Sequence, residues 1–125
     1  MSEQATIGQF EQLVLTAILA LPDNAYGVTI HQSVGDLAAP KSVSLGAVYA
    51  TLDRLEDKGL ITSWLSDPTP ERGGRSKRHY RLQAAGERAL RESALTAKRV
   101  CDRIEDVWGA KVWNPSRAWK PVRQH

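Results

Sequence analysis

Apolar residues recur at helical spacing in four stretches of the chain, with one interval of strand-like alternation between the third and the fourth. Phe10, Leu13, Val14, Ala17, Ile18 and Leu21 follow the i, i+3, i+4, i+7 pattern of one helix face, and Pro22 ends it. Leu15 and Leu19 fall off that stripe, which predicts burial on a second side, against another subunit. After a turn of Pro22, Asp23, Asn24 and Gly27, the residues Ile30, Val34 and Leu37 predict a shorter second helix, weakened by the internal Gly35. Residues 38–43 read as a Pro-containing connection and Ser44 as the N-cap of a third helix. Leu45, Val48, Leu52 and Leu55 mark the buried face of that helix, and Lys58 and Gly59 supply its stop.

Residues 60–65 and 77–82 read as the two strands of a hairpin. In the second strand Arg78, Tyr80 and Leu82 share one face by period two, while Lys77, His79 and Arg81 share the other. Two prolines and two glycines between the strands predict a loop that carries Arg72 and Arg75 outward. In the last stretch Leu90, Ala94, Ala97, Cys101, Ile104 and Trp108 step by four and three, a heptad seam about three repeats long. A helix of that length extends beyond a small domain and needs a partner surface, for which a second copy of the chain is the simplest candidate; folding back on its own domain is the alternative. The predicted dimer contact comprises these six residues with Phe10 and Val14 of the first helix.

Together the elements predict a mainly α fold with a small β-hairpin: a winged helix-turn-helix domain over residues 1–83, a dimerisation helix over 84–109 and a basic, Trp-containing tail over 110–125. A chain of 125 residues has room for one such domain. The exposed face of the third helix carries Gly46, Ala47, Tyr49, Ala50 and Arg54, small residues with a few polar ones, a composition that lets a helix approach base edges closely.

Charge sharpens this picture. Residues 1–60 hold three Lys or Arg against seven acids, a net of −4, whereas residues 61–125 hold fourteen against seven, a net of +7. Five basic residues and no acid lie between Arg72 and Arg81, a patch suited to phosphate; the alternative is a loop held open by its own charge. The tail, with Trp113, Trp119 and four Lys or Arg, reads as a docking arm, a disordered extension or a further phosphate contact.

Other classes lose support. No apolar run approaches the ~20 residues of a membrane span, and the first residues lack a secretory pattern, so the expected compartment is the cytoplasm. The single cysteine, Cys101, cannot form an internal disulfide, and no Cys or His pair has zinc-ligand spacing, so neither metal nor cofactor is expected. Cys101 on the seam is read as a small core residue, with a redox sensor as the alternative. His31, His79 and His125 are scattered, with no base beside a nucleophile, so no enzyme is expected.

The segments AYGVTIHQSV, VSLGAVYATLDRLEDKGLITS and GGRSKRHYRLQAAGERAL resemble the PadR family of bacterial transcriptional regulators in order and spacing, over roughly residues 10–108. The resemblance implies a homodimeric winged-helix repressor of the subfamily with a short C-terminal region; such a dimer, with its two recognition helices about one helical turn apart, is expected to read an inverted-repeat operator in double-stranded DNA. A small-molecule effector of unspecified chemistry would release it. Carried over by position, Tyr49 would contact a backbone phosphate, with a half-buried aromatic as the alternative. Ser44, Gly46 and Ala47 would approach bases or phosphates. The DNA-facing set is then Lys41, Ser42, Ser44, Gly46, Ala47, Tyr49, Ala50, Arg54, Arg72, Arg75, Lys77 and Arg78, although Arg54 could instead pair with acids on the surface. Two departures stand out. Leu82-Gln83 replaces the family's Leu-Thr, which predicts a frayed or shifted start for the last helix, and Ala94 and Ala97 stand where some ligand-binding relatives place a seam aromatic. A winged-helix adaptor that binds protein is the rival function.

Overall fold

The computed structural model describes residues 6–66 and 76–109, and the elements are α1 (Gln9–Ala20), α2 (Gly27–Ala38), α3 (Leu45–Asp57), β1 (Ile61–Leu65), β2 (Arg78–Leu82) and α4 (Ala84–Trp108). The chain divides into two compact units, residues 1–92 and 93–125, with the dividing point inside α4.

In the first unit, three helices and the hairpin enclose one core of Val14, Leu15, Ile18, Ile30, Val34, Val48, Leu52, Leu55, Leu60, Ile61 and Tyr80, joined by Ala89 and Leu90 from the first turns of α4. Each helix start uses a local side chain to satisfy backbone donors that have no partner within the helix. Glu11 Oε1 accepts from the Gly8 N–H at 3.0 Å, Thr29 Oγ1 from the Tyr26 N–H at 3.1 Å, and Ser44 Oγ from the Ala47 N–H at 3.1 Å. At the other end of α3 the chain reverses through Gly59, whose φ of 77° is the left-handed conformation that a glycine stop supplies, and Gly59 and Leu60 N–H groups donate to the carbonyls of Glu56 and Leu55. Ser44 and Gly59 thus bound α3 as the sequence indicates.

The hairpin is antiparallel, with Ile61 opposite Leu82, Ser63 opposite Tyr80 and Trp64 opposite His79. A further pairing adds the turn before α2: Tyr26 bridges to His79, and the Tyr80 N–H donates to the Ala25 carbonyl at 2.9 Å. α4 starts cleanly. The Gln83 N–H donates to the Leu60 carbonyl at 2.9 Å, and Gly86 lies so close to that carbonyl that a Cβ would overlap it. This backbone anchor fixes the strand-to-helix junction, and α4 begins at Ala84, directly after Gln83, so its start does not shift.

Four expectations change. Val14 is wholly enclosed and Leu90 nearly so, both in the core of their own chain, so neither offers surface to a second subunit. Leu15 is enclosed as well, and of the off-stripe pair in α1 only Leu19 reaches solvent. Leu45, in the first turn of α3, is exposed because that turn projects past the core, and Thr51 takes its place on the buried face. Leu37 is exposed on the last turn of α2. In the second unit, the described part of the chain is the α4 stretch from Ser93 to Trp108, followed by Gly109.

Candidate nucleic-acid interface

The polar and small residues of α3 converge on one open face. Ser44, Gly46, Ala47, Tyr49 and Ala50 are all exposed, with Lys41 and Ser42 in the connection before them and Leu45 beside them. The connection is pinned by His31, whose Nε2 lies 2.7 Å from the Val43 carbonyl. Tyr49 is intermediate between the two sequence readings: it is 43% exposed, and the rest of its ring rests on the first turn of α2, where a Cβ on Gly27 would overlap its hydroxyl and ring carbons. Gly27 is therefore needed for space, and its neighbour Tyr26 belongs to the same surface.

Arg54 and Arg78 are drawn elsewhere. Glu11, buried on α1, receives Lys58 Nζ at 2.9 Å and lies 3.7 Å from Arg54 Nε, while Arg54 Nη2 donates to Thr51 Oγ1 at 3.2 Å. Arg54 does pair with an acid, but the acid is Glu11 of α1 rather than its neighbours on α3. Burial pushes the Glu11 carboxyl up, yet the Lys58 and Gly8 hydrogen bonds with the charges of Lys58 and Arg54 outweigh it and hold the group below its ordinary value. Arg78 Nη1 donates to Ser63 Oγ at 2.9 Å, and Ser63 Oγ donates to Glu56 Oε2 at 2.8 Å, so this guanidinium is tied to the side of the hairpin that faces α3. On that side burial pushes the Tyr80 phenol up, Arg78 opposing and Asp53, Glu56 and Tyr49 adding, so it stays neutral. Lys77 is exposed. Arg72 and Arg75 lie outside the described residues, as do Trp113 and Trp119.

The residues that sequence reasoning missed are aromatic. Trp64 stacks on His79 with ring centroids 5.6 Å apart, and Tyr26 meets the same imidazole edge-on at 5.5 Å. The period-two alternation placed His79 on the outward face, but it could not show that Tyr26, some fifty residues earlier, joins it. Glu11 was missed because nothing in the spacing links residue 11 to residue 58.

An open groove of about 620 Å³ runs beside the contact face, lined by Phe10, Leu13, Leu37, Val43, Lys41 and Ser42 among others. In the second unit, Ala94, Ala97, Cys101, Ile104 and Trp108 share one side of α4, as the seam predicts. Val100 and Val107, both exposed, widen it to an apolar arc of about 140° at ~100° per residue. No group of His, Cys, Asp and Glu among the described residues has the arrangement of a metal site. No helix among them is long and apolar enough to cross a membrane.

Three helices and a two-stranded hairpin with an added bridge, lying beside the third helix, define a winged helix-turn-helix protein. The chain belongs to the PadR-like family of transcriptional regulators, whose family model matches residues 15–92. It is thus a transcriptional regulator, and the family is one of regulators rather than enzymes. Among solved structures it is similar to a PadR family regulator from Clostridium difficile R20291, with a TM-score of 0.61 and 26% identity over 81% of this chain and 98% of that one. A PadR family regulator from Eggerthella lenta matches with a TM-score of 0.60 and 25% identity over 79% of this chain and 83% of that one. The Aeropyrum pernix ORC1 protein, solved in complex with DNA, matches with a TM-score of 0.57 and 26% identity over 74% of this chain and 26% of that one. No curated protein matches the chain.

Proposed function

We propose that the protein is a cytoplasmic repressor that binds an inverted-repeat operator as a homodimer. The observation that carries this reading is the open face of α3, where Gly46, Ala47 and Ala50 leave room for base edges and Tyr49 presents a hydroxyl at the margin. The likeness to part of the ORC1 protein supports it, since that protein was solved in complex with DNA. Lys41, Ser42, Ser44, Tyr49 and Lys77 hold the phosphates, with Arg72 and Arg75 from the wing. Arg54 and Arg78 contribute mainly by fixing α3 and the hairpin.

The apolar arc of α4 supports dimerisation, because a stripe of this width exposed to water is stabilised by burial against a second copy. To this interface with a second copy we assign Ala94, Ala97, Cys101, Ile104 and Trp108 of α4, and also Phe10, which is partly buried against its own core on α1. The groove beside α3 supports an effector reading: it shares Lys41, Ser42, Ser44 and Ala47 with the contact face, so an occupant would disturb DNA contacts directly.

DNase footprinting of the full chain on its own upstream region, with sedimentation of the free protein, tests the proposal. The expected result is two protected half-sites about 10 base pairs apart, centre to centre, from a dimeric protein. Ile104→Glu should yield a monomer with much weaker protection. Absence of any protection would leave the adaptor reading in its place.

A further inference from the structure

The outer face of the hairpin holds five side chains in one continuous stack. Trp64 comes from β1, His79 and Arg81 from alternate positions of β2, Lys77 from just before it, and Tyr26 from the bridging turn. Lys77 Nζ lies 4.3 Å from the Tyr26 ring centroid, and the Arg81 guanidinium carbon lies 4.7 Å from that of Trp64, with His79 between the two aromatic rings. An aromatic face attracts a cation without neutralising it, so each charge is held in place yet remains available to an anion. The ion pairs among the described residues engage Arg54, Lys58 and Lys98, but neither Lys77 nor Arg81.

The geometry suits a row of phosphates better than one small anion. Lys77 and Arg81 are four residues apart, about 13 Å along an extended chain, which exceeds the ~8–10 Å over which salt screens exposed charges. Each cation therefore acts on a separate charge. The surface is also continuous with the contact face of α3, because Tyr26 precedes Gly27, the residue on which the Tyr49 hydroxyl rests.

We propose, on the DNA-binding reading above, that this face is a second backbone contact. Lys77 and Arg81 bind phosphodiesters of the duplex flanking the half-site, and Trp64 and His79 are the positioning residues that hold Arg81 for that contact. Restricting both cations beforehand lowers the conformational freedom lost on binding.

The test uses duplexes recovered by the full chain from a random-sequence pool. They are prepared as the two half-sites alone and with about one helical turn, ~10 base pairs, added on each side. Arg81→Gln should weaken binding to the long duplex several-fold and flatten its dependence of log affinity on log salt by about one for each copy bound. Binding to the short duplex should not change. Trp64→Leu should reproduce part of the loss and Trp64→Phe, which restores a ring, should recover it. Equal weakening on both lengths would mean that the stack only shapes the hairpin, and unchanged binding on both would mean that the face does not touch DNA; either result overturns the proposal while leaving DNA binding by α3 intact. If the unaltered chain recovers no duplex from the pool, the DNA-binding reading fails and this contact with it.

Discussion

Replacing Gly27 by alanine isolates the contact that supports Tyr49. The backbone there is ordinary helix, so any penalty comes from the added Cβ, which would overlap the Tyr49 hydroxyl and the ring carbons beside it. The ring is the far end of a mobile side chain and can swing out. Tyr49 is 43% exposed, so somewhat more than half of its surface is covered. For an aromatic side chain that amounts to about 100 Å², worth about 2.5 kcal/mol at ~25 cal/mol per Å². Alanine returns at most about 1 kcal/mol through its higher helix propensity, leaving a net loss of about 1.5 kcal/mol. In a Tyr49→Ala background there is no ring to displace, so Gly27→Ala should be neutral or slightly stabilising. Urea denaturation of the four proteins at one fixed concentration measures the coupling, expected at about 2.5 kcal/mol. An equal penalty for Gly27→Ala in both backgrounds would refute the contact. Tyr49→Phe should leave stability almost unchanged while weakening DNA, because it removes only the hydroxyl.

Gly86→Ala should be more damaging, at about 3 kcal/mol, because its Cβ meets the Leu60 carbonyl, a backbone atom already engaged by the Gln83 N–H; a thermal melt that matches the unaltered protein would contradict this close approach. Glu11→Gln should lower stability by about 1 kcal/mol at neutral pH, since the carboxylate then no longer draws Lys58 and Arg54 to α1. Because the folded-state pKa of Glu11 is depressed, its stabilisation is present above the ordinary glutamate range and is lost as pH falls through the folded value. Urea midpoints of the two proteins should therefore converge in acid, and a gap independent of pH would contradict the ion-pair account.

Periodicity and capping made most of the first unit legible. Val48, Leu52 and Leu55 sit where the three-and-four spacing puts them, and Ser44 and Gly59 act locally, within reach of their own neighbours in sequence. The contact face was legible for a related reason: burial of one stripe leaves the opposite residues of the same helix in solvent. Reach between distant segments was not legible. Glu11 to Lys58, Tyr26 to His79 and Gly86 to Leu60 each depend on tertiary packing that no local pattern encodes. Val14 was misassigned because a helical stripe shows that a residue is covered, but not by which chain.

The Glu11 pairing gives α3 a mechanical asymmetry. Its C-terminal end is fastened to α1 through Lys58 and Arg54, while the turn that presents Ser44, Gly46 and Ala47 lies at the opposite end and is open to solvent. Between the ends are thirteen residues, about 18 Å at ~1.5 Å rise per residue. A tilt of about 5° about the fastened end would move the open end by roughly 1.5 Å, enough to break hydrogen bonds whose useful range spans about 0.5 Å. Val48, Leu52 and Leu55 hold the helix along its buried side, so such a tilt would have to carry the core with it, and the Glu11 contact and the core together set the angle at which the open turn meets its target.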